Sequence, residues 1–230
     1  MISLYKEIVG LSCKLQFISS KWEKRKKQII DNNYIEMELK SINEINENIF
    51  DNIKKARLAS MEVKCIAEFY YVLNNNQKCI QYLNQSLDYF VKGMNGMQNG
   101  EKTSEFISER YENEVKRGVI PYIAYLLGRY DEIKPYSSEH PIERIFRAES
   151  VYNEEDENLD NMYQAVLNHD PTAFRENLDK RIRNLRKNSY DCLCAIDYWS
   201  LTLMKFASER GMETDYPYIE LFDMRPFLSG

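Results

Sequence analysis

Glycine and proline are scarce, at eight and six in 230 residues. Both residues break helices, and their scarcity, together with long polar–apolar periods, points to an all-helical protein. Histidine is scarcer still, with only His140 and His169. His140 precedes a proline and His169 sits beside Asp170, so each reads as a loop residue. Two histidines so placed are too few for a histidine metal centre and leave little for a Ser-His-Asp or Cys-His arrangement. The five cysteines, Cys13, Cys65, Cys79, Cys192 and Cys194, are odd in number and follow no secreted framework. Reduced thiols in a cytosol are the expectation. Cys192 and Cys194 form a C-x-C with no second pair to complete a zinc site, so neither a metal nor a cofactor is expected.

Long apolar runs are also missing. Nothing approaches the ~18–20 residues of a membrane span. The opening "MISLYKEIVGLSCKLQF" carries Glu7 and Lys14 within its apolar pattern and has no cationic lead, which does not fit a secretory signal. The apolar C-terminal stretch is interrupted by Glu220, Asp223 and Arg225. A cytoplasmic protein without a membrane anchor is expected. Nor is there an excess of positive charge: 31 Lys and Arg face 36 Asp and Glu, a formal net charge of −5. That balance argues against general nucleic-acid binding, which needs a basic face for phosphates. The charge is uneven, with residues 1–60 at +3 and the remaining 170 at −8.

What the chain does have is helical periodicity. Residues 34–60 read as one long helix or two joined, after possible caps at Asp31 to Asn33. Val63, Ile66, Ala67 and Tyr70 then form one stripe, "NNN" at 74–76 breaks it, and Ile80, Leu83, Leu87 and Phe90 form a second. The segment 61–92 is therefore expected to be a helical hairpin. Its alternation of small and large groups at Ala67, Tyr70, Cys79, Leu83 and Ser86 is the spacing of a tetratricopeptide-type pair, in which small residues let two helices approach. Similar helix-turn-helix phrases at 125–133 and 166–174 share no common period with it. The expected fold is an all-α, irregular stack of antiparallel helical hairpins, tetratricopeptide-like in local packing, as a single helical domain over 1–230. "GMNGMQNGEK" (93–102), with three of the eight glycines, is expected to be a mobile connection.

Later helices are signalled by Phe106, Ile107, Tyr111 and Val115; by Ile142, Ile145 and Phe146; and by Leu159, Met162, Tyr163 and Val166. Asp170-Pro171 is an N-cap acceptor followed by proline at the first helical position, opening a stripe of Phe174, Leu178, Ile182 and Leu185. Ile196, Trp199, Leu203, Phe206 and Ala207 mark the last helix, with Gly211 suited to the left-handed C′ position. The Tyr, Leu and Phe side chains of the final "YPYIELFDMRPFL" are expected to wrap back over the core.

Motifs for chemistry fail on their spacing. "GMQNGEKT" (96–103) lacks the spacing of a phosphate-binding loop because Glu101 separates Gly100 from Lys102. "NEEDENLD" (153–160) has carboxylates at calcium-like density without the glycine of an EF-hand loop. It reads as a solvated acidic helix start. "KWEKRKK" (21–27) is the one basic cluster and reads as a solvated helix face with Trp22 beneath.

The last third, "DPTAFRENLDKRIRNLRK" (170–187), "AIDYWSLTLMKFASERGM" (195–212) and "YPYIELFDMRPFL" (216–228), resembles the bacterial immunity protein 49 family. The hairpin "AEFYYVLNNNQKCIQYLNQSL" (67–87) is similar to that family's helical first half. The resemblance implies a cytoplasmic antidote that binds and neutralises a cognate toxin domain by protein–protein inhibition, without enzymatic activity. If that toxin attacks nucleic acid, its cleft is basic, and the acidic run Glu154, Glu155, Asp156, Glu157 and Asp160 is the candidate partner-binding surface. The alternative reading is a tetratricopeptide-like adaptor or chaperone that binds a peptide in a helical groove.

Overall fold

A computed structural model describes residues 23–24, 26–73, 75–137, 139–143, 153–188 and 196–212, without the side chains of 117, 153–156 and 182–188. Among the described residues all regular structure is helical. After a helical stretch at 26–31 come α1 (Tyr34–Asn48), α2 (Asn52–Val72), α3 (Asn76–Gln98), α4 (Glu105–Arg117) and α5 (Ile120–Leu126). Two single 3-10 turns, Tyr130–Glu132 and Lys134–Tyr136, follow, and then α6 (Asn153–Leu167), α7 (Pro171–Asn188) and α8 (Tyr198–Glu209).

Helix starts follow from side-chain caps. Asp51 accepts from the Lys54 N–H (2.9 Å), Asn75 from Lys78 (3.2 Å), Ser104 from Ile107 (3.4 Å) and Asp197 from Ser200 (3.3 Å). Asp170 accepts from both Thr172 (3.1 Å) and Ala173 (3.0 Å), directly ahead of Pro171. Each such acceptor satisfies a backbone donor that has no partner inside the helix. Gly128 after α5 and Gly211 after α8 close their helices with φ of 71° and 75°. The expected cap before α1 takes another form. Asn33 adopts a left-handed φ of 52° and its side chain makes no capping bond.

The dominant pairing is the antiparallel hairpin of α2 and α3, with α6 and α7 forming a second hairpin. α1 lies on α2, while α8 packs on both α5 and α6 and so joins the two halves. Small residues are buried along the α2–α3 hairpin. Ala56, Ala59, Ser60 and Ala67 on α2, with Ser86 on α3, are all buried. The Ser60 hydroxyl donates to the Ser86 carbonyl (2.9 Å) and the Ser86 hydroxyl donates to the Ser60 carbonyl (2.8 Å). Cys79, Leu83, Leu87 and Phe90 fill the core beside this clasp. Burying each large apolar side chain there contributes about 1.5–3 kcal/mol. The expected small–large alternation is thus the packing seam of the hairpin, with Tyr70 half-buried and stacked on Tyr82 at 5.4 Å.

Several boundaries differ from expectation. The segment 34–60 is two helices joined at 49–51, one of the two forms expected, but the second runs past residue 60 to Val72 as α2. The connection expected at 93–102 is largely helix, because α3 runs to Gln98. Its glycines serve packing: a Cβ on Gly93 would overlap the Tyr111 hydroxyl, and one on Gly96 would lie 3.3 Å from Ile53. Tyr111 fills the space over Gly93, fully buried, and donates to the Ile53 carbonyl at 3.0 Å. Phe106 does not join the buried stripe. It is 59% exposed, with the Arg110 guanidinium 5.0 Å from its ring centroid. The phrase at 125–133 ends in a 3-10 turn rather than a second helix. In α8 the buried face is Tyr198, Leu201, Leu203, Met204 and Ala207, and Trp199 and Phe206 flank it half-buried.

Two buried polar links hold α8. Glu68 on α2 receives Lys64 (2.8 Å) and the Tyr198 hydroxyl (3.0 Å). Arg181 on α7 grips Asp197 through Nε (2.7 Å) and Nη2 (3.1 Å), and the Ser200 hydroxyl donates to the same carboxylate at 2.7 Å. The expectations for Trp22, Ile145, Phe146, Ile182, Leu185, Cys13, Cys192, Cys194 and the segment 216–228 lie outside what is described.

Candidate functional site

The buried stripe of α3 leaves its opposite face to solvent, and the period of the helix places Asp88, Val91, Lys92, Asn95 and Asn99 along it. Two turns enclose this face. After α3, Gly100 takes a left-handed φ of 79°, and the Glu101 N–H returns to the Gly96 carbonyl at 3.0 Å. Glu101 therefore folds back over the helix, and its carboxyl carbon sits 3.3 Å from where a Cβ on Gly96 would be. On the other side, the Gly128 turn sends the chain from α5 into the 3-10 segment and presents Arg129 and Glu132. Between these walls lies an open groove of about 390 Å³, lined by Asp88, Lys92, Asn95, Asn99, Glu101 and Glu132, with Val91 and Gly96.

Arg129 organises one wall. Its Nε and Nη2 donate to the two oxygens of Glu132, each at 2.7 Å, and Nη2 also donates to Asp88 at 2.6 Å. Nη1 donates to the Asn84 side-chain oxygen at 2.9 Å. The planar fork of the guanidinium allows this simultaneous bonding. Hydrogen bonding to Arg129 outweighs desolvation and holds the Glu132 carboxyl below the usual carboxylate range. The bonds from Glu132 and Asp88 in turn push the Arg129 guanidinium up. The Tyr136 hydroxyl donates to Asn95 Oδ1 at 2.5 Å, which orients that amide, and reaches Gln98 Oε1 at 3.3 Å. Chemically, this is a surface of pre-positioned acceptors and amides with one ammonium at Lys92. It suits cationic and hydrogen-bonding side chains of a partner. Among the described residues, its lining contains no Ser, Thr, Cys or His.

The acidic run singled out in the sequence lies on α6. Residues 153–156 form the first turn of α6, so Glu154, Glu155 and Asp156 stand at its N-terminal end, and their side chains are outside what is described. Glu157 and Asp160 are exposed on the same helix. Of the two whose side chains are described, neither Glu157 nor Asp160 lines the groove. Sequence reasoning missed the groove because its charges come from three separate segments. The only local signals were the glycine turns at Gly100-Glu101 and Gly128-Arg129.

His140 lies in a loop, as expected, half-buried between the rings of Tyr125 (5.4 Å) and Tyr130 (4.9 Å). Its Nδ1 accepts from the Ile142 N–H at 3.3 Å, and burial lowers its pKa. The neighbouring Tyr125 hydroxyl donates to Glu209. His169 occupies the α6–α7 turn with a φ of 55°. Cys79 is fully buried, and desolvation first, then the Glu68 charge, pushes its thiol up. Among the described residues no three His, Cys, Asp or Glu side chains are grouped to hold a metal ion, and no helix is long and apolar enough to cross a membrane.

Fold and groove together define an all-helical protein with an open, polar, pre-organised surface. Comparison with family models, with curated proteins and with solved structures gives no match.

Proposed function

We propose that this chain is an immunity protein: it binds a cognate bacterial toxin domain and blocks it by occupying its surface. The observation that carries this reading is the α3 groove, whose carboxylates are fixed by Arg129 and by the Gly100 turn before any partner arrives. Pre-organised side chains lose little entropy on binding, which favours tight and selective association. Acidic groups facing a basic cleft accelerate encounter and discriminate among partners. The resemblance of residues 170–228 to immunity protein 49 points the same way. In this reading the groove acids and the acids at the start of α6 are the two candidate contact surfaces, and the protein works in the cytoplasm of the producing cell.

The test is co-expression with the toxin domain encoded beside it, scored by growth rescue and by co-purification. Rescue with a stable complex is expected. Glu101→Lys should weaken the complex and reduce its salt dependence if the groove makes the contact, and Glu155→Lys with Asp156→Lys should do so if α6 makes it. Growth arrest despite abundant folded protein would contradict the proposal. The close small-residue seam of α2 and α3 supports a second reading, an adaptor that holds an extended peptide on a helical stack. Capture of an unfolded segment instead of a folded toxin domain would favour it.

A further inference from the structure

A helical turn opens at 141–143 with Pro141 at its first position, where proline is well placed. What sets it apart is the acceptor that precedes it. Helices α2, α3, α4, α7 and α8 are each capped by a side-chain oxygen, from Asp51, Asn75, Ser104, Asp170 and Asp197. Here the cap is a ring nitrogen: His140 Nδ1 accepts from the Ile142 N–H at 3.3 Å. A neutral imidazole has one accepting nitrogen, so this bond places its proton on Nε2. The cap serves a seated turn. Pro141 and Ile142 are both buried. The chain just before them is tied down at the Glu139 carbonyl, which accepts from the Tyr130 and Ser137 hydroxyls, each at 2.8 Å.

We propose that His140 is a proton-operated helix cap: the neutral ring holds the turn at 141–143 in place, and protonation of Nδ1 releases it. A proton from solvent takes up the lone pair that the Ile142 N–H uses, and leaves two donors facing each other. It also sets a positive charge at a helix start, where the backbone already presents positive partial charge. The surroundings of the ring decide when this happens. It is half-buried, edge-on to Tyr125 of α5 at 5.4 Å and to Tyr130 of the 3-10 segment at 4.9 Å. From α8, Glu209 accepts from the Tyr125 hydroxyl, and Lys205 donates to the Leu126 carbonyl at 2.9 Å with its ammonium 5.6 Å from the Tyr125 ring centroid. Glu143 on the turn itself and Glu209 favour the charged ring, while Lys134 of the 3-10 segment opposes it. Desolvation outweighs the two carboxylates, so the ring ionises below the ordinary 6.5. The folded chain therefore binds fewer protons than the unfolded chain just below that value. The stability contributed by the cap is complete above 6.5 and is lost as pH falls through the lower folded value.

Imidazole nitrogen NMR of the intact protein tests this cleanly, because the chain has only two histidines. His140 is expected in the Nε2–H form, with a midpoint below 6.5. The Ile142 amide signal should follow the same midpoint. Its exchange protection, corrected for intrinsic pH dependence, should fall about fivefold between about pH 7.5 and pH 5, the loss of one cap. His140→Asn keeps an acceptor that takes no proton and retains Glu143 and Glu209, so its Ile142 amide should stay equally protected across that range. An Nδ1–H form, a midpoint at or above 6.5, or an Ile142 amide that ignores His140 would overturn the proposal. So would the native pH response in His140→Asn, which would assign that response to the carboxylates. The measurements on the native chain need no variant, so they decide the question even if the substitution disturbs the turn.

Discussion

Tyr111 and Gly93 show how much of this fold rests on single contacts. The ring packs where any Cβ would intrude, tilted against Phe90 at 4.9 Å, and desolvation pushes its phenol well above the ordinary value. Gly93→Ala should cost about 1–3 kcal/mol through overpacking. Tyr111→Phe should cost about 1 kcal/mol by leaving the Ile53 carbonyl without that donor. Combined, the two should cost less than their sum, since removing the hydroxyl relieves the closest part of the clash. Thermal or urea unfolding of the three variants checks this. Asp197 makes a second residue-scale case. Burial opposes its ionisation, but the charge and hydrogen bonds of Arg181, with those of Ser200, hold its carboxyl below the usual value of 3.8. Its contribution is therefore complete above that value and is lost as pH falls through the lower folded one. Asp197→Ala should destabilise by about 3–5 kcal/mol, because it strands a buried guanidinium, while Asp197→Leu with Arg181→Met should recover much of that loss. Acid unfolding of the single variant should lose the steepest part of the native profile.

At the scale of elements, the two long-range links make the helices interdependent. Ser60→Ala and Ser86→Ala each remove one arm of the α2–α3 clasp and should each cost about 1 kcal/mol. Tyr198→Phe should cost about 1.5 kcal/mol or more, because its hydroxyl serves the buried Glu68 carboxylate that ties α8 to α2. Urea denaturation read by circular dichroism measures both effects. The elements themselves were largely legible in the sequence, since the signals are local. Asp170-Pro171 begins α7 where its chemistry requires, Gly211 closes α8, and the stripe Leu83, Leu87 and Phe90 is buried as its period implies. What misled was glycine. Gly93 and Gly96 read as breakers, but helix α3 gains more from close approach to Tyr111 and Ile53 than it loses in propensity. Phe106 misled in the same way, because helical spacing cannot tell a buried ring from an exposed ring covered by an arginine.

On the whole-molecule scale, the groove was not legible because no sequence window contains it. Asp88, Glu101 and Glu132 meet only after α3, its C-terminal turn and the 3-10 segment have docked together. Arg129 is the structural centre of that arrangement. Arg129→Ala should free Asp88 and Glu132, leave the helical content unchanged and weaken partner binding by changing the shape of the wall. Calorimetric titration against the partner, alongside circular dichroism, separates that outcome from unfolding. The central claim is that the molecule acts by stoichiometric contact between its surface and a toxin domain. Titration of the toxin's activity with the purified protein tests this most directly. The account predicts that inhibition rises in proportion to added protein and is complete at equimolar amounts. Complete loss of toxin activity at a small fraction of an equivalent, or no loss at any ratio, would contradict it.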